Sequence, residues 1–478
     1  MIDFGTGGFR GIIGDTFTKE NIQLIAQALS NIIKEENSKT KVVIGYDYRF
    51  LSDVAAIWVA EVLAGNKINV LISKEATPTP AVMFMTKYMD NDYGAMITAS
   101  HNPYLFNGIK LFQKSGMDAD VNLTNRVEEE IRKVKKVNVL PVYDKNFNTF
   151  VRGIDILEGY LDNIRRFISP EIKGNGIKVL FDALHGTGAI SLTKIAKSYE
   201  LNNFITINES HDPLFGGRMP NPTLEAMLSN SKKVVEEGYD FAIGIDCDGD
   251  RLALLDENGK YVESNEILAA LYYYLVKVKG LRGDCVKNCA TSNLVDKIAL
   301  KLGFKCHEVD VGFKNISSKI KEVDALIGGE SSGGLTIRDY LFGKDSTFAA
   351  MLFIEMVIVM NKKVSEIIQE VRDFAEFHYT IIEETIEFQE NLDIKRYLNE
   401  VMPNLLDEPL EVRKFGKNVK YILPNDEWFI LRLSGTEPVL RVFVETSDSE
   451  KTHRYMDLIK EYIKDIDKEK YINEEIWF

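Results

Sequence analysis

The order of strand-like and helix-like segments constrains the fold of this chain more than any other feature of its sequence. Residues 19–35 place their apolar side chains on one helical face, and residues 41–45 form a short β-branched run typical of a buried strand. A second helix is expected to begin near Ser52, and both Thr18 and Ser52 are of the residue type that caps helix N-termini. This alternation predicts a mostly parallel sheet with helices on both faces.

The same alternation restarts twice further along the chain, and the region after about residue 376 is richer in strands. A chain of 478 residues is also too long for one hydrophobic core. The sequence therefore predicts three successive α/β domains with mixed, mostly parallel sheets, followed by a smaller C-terminal α+β domain. The expected limits of the four domains are residues 1–150, 151–256, 257–372 and 373–478.

Charge and composition argue against several classes of partner. The net charge is −14 and no long basic run interrupts it, so nucleic acid and anionic membrane surfaces are not expected partners. The N-terminus has no signal-peptide pattern, and the apolar stretch at residues 349–360 is too short for a bilayer and contains Glu355. With only four cysteines, a cytoplasmic protein with reduced thiols is expected. The oligomeric state cannot be predicted from the sequence.

Three carboxylates stand at alternate positions directly after an apolar strand, in the run Asp246-Cys247-Asp248-Gly249-Asp250-Arg251. They would repel one another unless a cation lies among them, and oxygen ligands of this kind suit Mg²⁺ or Ca²⁺. A calcium loop of the EF-hand type has Glu257 at its twelfth position but needs glycine where Arg251 stands, and it needs flanking helices. A plain acidic surface turn is the remaining alternative.

A polar loop, Thr98-Ala99-Ser100-His101-Asn102-Pro103, follows the apolar strand at residues 93–97. Ligand sites in α/β proteins lie beyond the carboxyl ends of strands, so Ser100 is a candidate nucleophile. No Gly-x-Ser-x-Gly motif surrounds Ser100, and a histidine next in sequence, such as His101, rarely reaches its neighbour's hydroxyl. The alternative is a turn whose polar side chains satisfy backbone groups.

Two further loops have the composition of ligand-binding segments. Residues 432–438, Arg-Leu-Ser-Gly-Thr-Glu-Pro, are followed by Arg441, and together they can surround a phosphate with charged and backbone donors. Residues 328–334 are dense in glycine, which favours close approach of backbone to a ligand, and Glu330 and Ser332 could hydrogen-bond to hydroxyls. A surface turn and a flexible structural loop, respectively, are the alternatives.

Taken in order, these four segments resemble the α-D-phosphohexomutase family, which includes phosphoglucomutase, phosphomannomutase and phosphoglucosamine mutase. The resemblance extends from Phe4-Gly5-Thr6-Gly7-Gly8-Phe9-Arg10-Gly11 to the loop at residues 432–441. It implies four domains around a central cleft and an isomerase that interconverts hexose 1-phosphate and hexose 6-phosphate, of glucose or mannose. The implied route is a phosphoserine enzyme and a hexose 1,6-bisphosphate intermediate, with Mg²⁺ as cofactor and glucose 1,6-bisphosphate as activator. Phosphoglucosamine mutase, a Mg²⁺-dependent phosphatase using the same serine, and a non-catalytic sensor are the competing functions.

The resemblance also implies a role for each residue of the reacting centre. Ser100 would carry the phosphoryl group, Arg10 and Arg251 would surround the reacting phosphate, and Lys110 would act as an acid or base. The implied ligands of Mg²⁺ are Asp246, Asp248, Asp250 and an oxygen on Ser100.

Substrate-binding residues follow from the resemblance in the same way. Glu330 and Ser332 would contact the sugar hydroxyls, Lys314 would be a further sugar contact, and the phosphate that is not transferred would be bound by Arg432, Ser434, Gly435, Thr436 and Arg441. Many relatives carry a proton-transferring histidine where this chain has Gly334, so the second acid/base group is not identified by the resemblance. Residues 212–218 also look family-like, but no catalytic role is assigned to them.

Overall fold

The computed structural model describes residues 2, 4, 5, 8–389, 392–401, 403, 405–433, 438–466, 470 and 471. Within these residues the chain forms four domains, and each domain is built on its own β-sheet. The predicted fold class, three α/β domains and a smaller α+β domain, is confirmed.

The first domain has a seven-stranded mixed sheet in the order β1-β5-β4-β2-β3-β7, with β6 paired to β5. Strands β2, β3, β4 and β7 are parallel, whereas β1, β5 and β6 pair antiparallel with their neighbours. Helix α1 is capped by the Thr18 side chain, as predicted. The elements are β1 (Phe9–Ile12), α1 (Lys19–Glu35), β2 (Lys41–Tyr46), α2 (Ser52–Gly65), β3 (Asn69–Ser73), α3 (Thr79–Tyr88), β4 (Tyr93–Ile97), β5 (Phe106–Gln113), β6 (Met117–Asp118), α4 (Val121–Lys133), α5 (Phe147–Phe150) and β7 (Val151–Ile154).

The second domain has a five-stranded sheet in the order β12-β11-β10-β8-β9, in which β10, β8 and β9 are parallel. Strand β10 ends at Ile245, immediately before the three aspartates, and the chain returns antiparallel as β11. The elements are α6 (Leu157–Arg165), β8 (Val179–Asp182), α7 (Gly188–Ser198), β9 (Phe204–Ile207), α8 (Leu224–Glu237), β10 (Phe241–Ile245), β11 (Leu252–Leu255) and β12 (Tyr261–Val262).

The third domain has a four-stranded sheet in the order β14-β13-β15-β16, parallel except for the pair β15–β16. That last pair is joined by the glycine-rich loop, which places Glu330 and Ser332 at one end of the sheet. The elements are α9 (Ser264–Tyr273), β13 (Cys285–Asn288), α10 (Leu294–Leu302), β14 (Cys306–Val309), α11 (Phe313–Val323), β15 (Ile327–Gly329), β16 (Leu335–Ile337), α12 (Ser346–Met360) and α13 (Val364–Ala375).

The fourth domain is an antiparallel five-stranded sheet in the order β17-β21-β20-β19-β18, covered by the C-terminal helix. Its own apolar core lies between that sheet and the helix. The elements are β17 (Thr380–Glu387), α14 (Ile394–Glu400), β18 (Glu411–Phe415), β19 (Asn418–Ile422), β20 (Trp428–Leu433), β21 (Val439–Thr446) and α15 (Ser449–Lys464).

Helix α12 packs where the first three domains meet. Its residues from Ser346 to Val357 are all buried, within an apolar cluster that also includes side chains of the first and second domains. Glu355 lies in this helix and accepts hydrogen bonds from Tyr274 Oη at 2.7 Å and Lys279 Nζ at 2.6 Å. The short apolar stretch is therefore a buried core helix, as expected. Within the described part of the chain, no helix combines the length and the apolar character that crossing a bilayer requires.

Candidate active site

Ser100 lies in the loop that joins β4 to β5 in the first domain. Its backbone adopts the left-handed region, with φ of 52°, and its N–H donates to Thr98 Oγ1 at 2.7 Å. The hydroxyl is buried and lies 3.3 Å from Asp246 Oδ2 of the second domain. Two segments separated by 146 positions in sequence therefore meet at this hydroxyl.

His101 contacts the same hydroxyl, with Nδ1 3.3 Å from Ser100 Oγ. The expectation that a neighbouring histidine does not reach this serine is therefore wrong. An extended backbone points successive side chains to opposite faces, whereas the backbone at Ser100 is left-handed. Burial, followed by the positive charges of Arg251 and Arg10, holds the pKa of His101 well below its usual range. At neutral pH the imidazole is uncharged.

The carboxylates of Asp246, Asp248 and Asp250 converge at the end of β10, with one oxygen of each within 4.8 Å of the others. All three side chains are buried. Asp246 Oδ1 accepts the N–H groups of Asp250 and Arg251, at 2.8 and 3.0 Å, which fixes the turn. Burial, and then the charges of Asp250 and Asp248, raise the pKa of Asp246 well above its usual range.

This carboxylate cluster fits a divalent cation. Within the residues that the structure describes, Asp248 Oδ1 and Asp250 Oδ1 are buried without a hydrogen-bond partner. A buried charged oxygen without a hydrogen bond is unfavourable, and a hard cation such as Mg²⁺ satisfies it. Strands rather than helices flank the loop, so the EF-hand alternative does not apply.

Lys110, on β5 of the first domain, is the cation that lies closest to this cluster. Its Nζ lies 2.6 Å from Asp248 Oδ2 and 2.9 Å from Asp250 Oδ2, and the side chain is only 7% exposed. Burial lowers the pKa of Lys110, but the charges of Asp248 and Asp250 outweigh that effect and raise the pKa well above its usual value. Lys110 is thus a fully charged ammonium between the first two domains.

Arg10 and Arg251 both lie near the serine loop. Arg10 Nη1 donates to Asn102 Oδ1 at 2.5 Å, and Arg251 Nε is 3.9 Å from Asp250 Oδ1. Burial, and then the charge of Arg251, lower the pKa of Arg10, which indicates that the two guanidinium groups are close. Two cations kept close together in a partly buried site favour the binding of an anionic ligand beside them.

The third domain places Glu330 and Ser332, the two residues predicted to contact the sugar, near the acidic loop. Ser332 Oγ donates to Glu330 Oε1 at 2.7 Å. Lys344 Nζ lies 3.5 Å from Glu330 Oε1 and 3.3 Å from Asp250 Oδ1, so it connects this pair to the acidic loop. A Cβ atom at Gly334 would lie 2.0 Å from Lys344 Cδ. The glycine therefore leaves room for the lysine side chain that crosses over it.

The fourth domain contributes two arginines. Arg432 on β20 and Arg441 on β21 are partners across the antiparallel pair. Burial and the charge of Arg441 lower the pKa of Arg432, whereas the nearby Glu330 and Glu383 oppose this. Glu330 belongs to the third domain, so its charge acts on Arg432 from across the boundary between the third and fourth domains.

Three of the predicted phosphate ligands, Ser434, Gly435 and Thr436, lie outside the described residues. Lys314 is half-buried in the first turn of α11, and its side chain makes no hydrogen bond or ion pair with the residues that the structure describes. The role assigned to each of these four residues stays a prediction.

Sequence reasoning missed two residues that the structure places at the site. Lys344 lies ten positions beyond Gly334, and the missing side chain at Gly334 was the only available signal for it. Arg49 follows β2 and donates to the backbone carbonyls of Ser100 and Asn102, each at 2.5 Å. No pattern within a short window of sequence identifies a contact of this kind.

The comparisons with known proteins cover the whole of this architecture. Four family models match in order, all described as phosphoglucomutase/phosphomannomutase: α/β/α domain I at residues 1–138, domain II at 158–259, domain III at 263–374 and the C-terminal domain at 394–461.

Individual relatives match over nearly their full length. A phosphoglucomutase/phosphomannomutase of Thermococcus kodakarensis is 29% identical, over 95% of this chain and 97% of the relative. A phosphoglucosamine mutase of Nautilia profundicola is 30% identical, over 96% and 98%. The crystal structure of a phosphomannomutase-like protein of Thermus thermophilus superimposes with a TM-score of 0.84 at 26% identity, covering 97% of this chain and 99% of that one.

Fold, site and matches together define an isomerase that transfers a phosphoryl group on a sugar phosphate. The chain belongs to the phosphoglucomutase/phosphomannomutase family of the α-D-phosphohexomutase superfamily. The family is magnesium-dependent, in agreement with the buried aspartate triplet.

Proposed function

We propose that this enzyme interconverts hexose 1-phosphate and hexose 6-phosphate, with glucose and mannose as the sugars, through a phosphorylated Ser100 and a hexose 1,6-bisphosphate intermediate. The observation that supports this most strongly is the 3.3 Å approach of Ser100 Oγ to Asp246 of the buried acidic triplet, across the boundary between two domains. Glucose 1,6-bisphosphate would act as the activator, because it can phosphorylate Ser100 at the start of the cycle.

Each half-reaction moves one phosphoryl group. In the first, the bond from phosphorus to Ser100 Oγ breaks, a bond to a sugar hydroxyl oxygen forms, and that hydroxyl loses its proton. In the second, the other phosphate of the bisphosphate returns to Ser100. Such transfers depend on positioning and charge neutralisation more than on covalent assistance, and Arg10 and Arg251 supply positive charge beside the serine. Lys110, held as an ammonium, is proposed to give a proton to the departing Ser100 oxygen and to take up the proton that the sugar hydroxyl loses, so it ends the half-reaction as an ammonium again.

Asp246, Asp248 and Asp250 would hold Mg²⁺, with an oxygen on Ser100 as a further ligand. When bound, the ion supplies charge neutralisation for the phosphoryl group and orients it. The two carboxylate oxygens without hydrogen bonds support this assignment.

The remaining contacts are proposed to bind the part of the substrate that does not react. Glu330 and Ser332 form a hydrogen-bonded pair suited to sugar hydroxyls, and Lys314 would add a contact to the sugar. Arg432 and Arg441, with Ser434, Gly435 and Thr436, would bind the phosphate that is not transferred. One pocket of this kind can serve both orientations of the bisphosphate.

Phosphoglucosamine mutase activity is the second candidate, because the relative at 30% identity has that name. The two activities differ at the 2-position of the sugar. Glu330 and Ser332 can hydrogen-bond to either an amine or a hydroxyl, so these two residues do not distinguish the two activities.

One assay tests the proposal. Purified enzyme with Mg²⁺ and a trace of glucose 1,6-bisphosphate should convert glucose 1-phosphate or mannose 1-phosphate into the 6-phosphate, and Ser100→Ala should remove almost all of that turnover. A faster reaction with glucosamine 1-phosphate would favour the second candidate. Release of inorganic phosphate would indicate a phosphatase, and no turnover of any hexose phosphate would contradict the proposal.

A further inference from the structure

Arg49 is one of the most enclosed charged residues of the protein, and the proposed reaction leaves it without a role. It follows β2 in the first domain, and its side chain has no exposed surface. The guanidinium donates to four backbone carbonyls of one loop: Ser100 and Asn102, each at 2.5 Å, Pro103 at 2.9 Å and Phe106 at 3.0 Å. A single planar group therefore spans the loop from the serine to the start of β5.

A second set of contacts connects Arg49 to the acidic loop. Arg49 Nε lies 3.6 Å from Asp47 Oδ2, which in turn accepts a hydrogen bond from Cys247 Sγ at 3.2 Å. Cys247 stands between two of the three clustered aspartates. The carboxylate of Asp47 is held by the Ser52 hydroxyl at 2.7 Å. Buried polar contacts thus join the serine loop to the acidic loop without passing through the reacting centre.

The second domain also covers the guanidinium. The ring of Phe215 lies 5.1 Å from the guanidinium carbon of Arg49, a distance at which a cation interacts with an aromatic face. Phe215 is 1% exposed and belongs to residues 212–218, for which the sequence suggested no function. The segment therefore has a structural partner at the serine loop.

The backbone conformation of the serine loop needs stabilising contacts like the four hydrogen bonds from Arg49. Ser100 has a positive φ, which is unfavourable for a residue other than glycine and persists only where the surroundings over-determine it. Four hydrogen bonds from a rigid fork meet that condition. An ammonium is a point charge with three donors and cannot reproduce this planar pattern.

We propose that Arg49 is a positioning residue for phosphoryl transfer: clamped between the carbonyls of the serine loop and Phe215, and tied to the acidic loop through Asp47, it holds Ser100 Oγ at the reacting centre. This inference rests on the proposed function. It assigns Arg49 no contact with the substrate, so the expected effect falls on the reaction step and not on substrate binding.

The test compares Arg49→Lys with Arg338→Lys. Arg338 is the control, because its guanidinium also donates to backbone carbonyls, those of Asp324 at 2.9 Å and Arg282 at 3.0 Å, but within the third domain. Its side chain is 26% exposed, so the control matches the hydrogen-bond pattern and not the burial of Arg49. A displacement of about 1 Å at a reacting group costs on the order of 10²-fold in rate. We expect Arg49→Lys to lower kcat by about that factor with KM within a few-fold of the parent, and Arg338→Lys to leave kcat unchanged.

Two further measurements keep the inference falsifiable if Arg49→Lys folds poorly or if the parent enzyme does not turn over hexose phosphates. Phe215→Leu keeps an apolar side chain over the guanidinium but removes the aromatic face, and it should lower kcat several-fold with unchanged KM. Hydrogen exchange of residues 98–106 needs no activity, and it should be faster in Arg49→Lys than in the parent or in Arg338→Lys.

Unchanged exchange of residues 98–106 in a folded Arg49→Lys would overturn the inference, whatever the enzyme does. Equal losses of kcat in the Arg49 and Arg338 variants would also overturn it, since they would indicate a general effect on folding. Lack of turnover in the parent, together with faster exchange in Arg49→Lys, would contradict the proposed function and leave the clamp supported.

Discussion

Replacement of Lys110 by methionine should make the stability of this enzyme depend strongly on Mg²⁺. Lys110 Nζ lies 2.6 and 2.9 Å from the carboxylates of Asp248 and Asp250, and the side chains of all three residues are buried. Methionine fills a similar volume without the charge, so packing changes little. The variant would therefore keep the buried acidic cluster and lose the ammonium closest to it, while Lys344 stays 3.3 Å from Asp250 Oδ1.

The expected magnitude follows from the burial of this pair. Removing one partner of a buried ion pair costs about 3–5 kcal/mol, because the other charge is left uncompensated. A cation that binds only the folded state restores stability by RT ln(1 + [L]/Kd), about 2.7 kcal/mol at a concentration of one hundred times Kd. Mg²⁺ also stabilises the parent, so the difference between the two proteins shrinks because the variant, which lacks the ammonium of Lys110, binds the cation more tightly.

The assay is urea denaturation of the parent and the variant, in chelator and in excess Mg²⁺. The difference in free energy of unfolding between them should be about 3–5 kcal/mol in chelator. In excess Mg²⁺ it should narrow by about 1.4 kcal/mol for each tenfold by which the variant binds the cation more tightly than the parent does. Lys420→Met is the matched control. Lys420 is as deeply buried and is paired with Glu308, at a distance from the acidic loop, so its loss of stability should not respond to Mg²⁺. A difference that is the same with and without Mg²⁺, or that narrows equally in the control, would refute the reasoning.

Three further changes test other parts of the site. Gly334→Ala should displace Lys344 from its two carboxylate partners, because the new Cβ would lie 2.0 Å from the lysine Cδ, and kcat should fall by more than tenfold in the mutase assay. Arg441→Gln should raise KM for the hexose phosphate by about tenfold or more, the effect of losing one charged hydrogen bond of about 1.5–3 kcal/mol, with a smaller change in kcat; an unchanged KM would remove Arg441 from the phosphate pocket. Burial raises the pKa of Asp345 to about 6, so its folded form holds a proton more tightly than the unfolded chain does. Its contribution to stability is therefore fully present below about pH 4 and is lost as pH rises through about 6; Asp345→Asn should lack this loss of about 3 kcal/mol when unfolding is measured across that range.

Local patterns predicted much of the fold. Helix α1 was expected over residues 19–35 with Thr18 as its cap, and the structure has the same bounds and the same cap, because amphipathic spacing and capping are properties of short windows. The expected cap at Ser52 is wrong. Ser52 is the first residue of α2, and its hydroxyl donates to Asp47 at 2.7 Å instead of capping the helix. A long-range polar contact overrides the local preference there.

Some residues of the candidate site could likewise be predicted from the sequence, and others could not. Ser100 and the three aspartates could be found because each follows an apolar strand, the position at which α/β sheets expose functional side chains. Lys344 and Arg49 could not be found, since their importance depends on contacts between segments far apart in the chain. The space above Gly334 and the carbonyls around Arg49 exist only after the domains have packed.

The most direct test of the account is to locate the phosphoryl group on the protein. The enzyme would be incubated with glucose 1,6-bisphosphate and Mg²⁺, and its peptides would be examined by mass spectrometry before and after addition of glucose 1-phosphate. With an isotope label in the phosphoryl groups of the bisphosphate, we expect one labelled phosphoryl group, on Ser100. The label should pass to the hexose phosphate when unlabelled glucose 1-phosphate is added, while Ser100 stays phosphorylated, because each cycle returns the other phosphate to the serine. Turnover without any phosphorylated Ser100, or a label on another residue that the sugar phosphate removes, would contradict the proposed reaction.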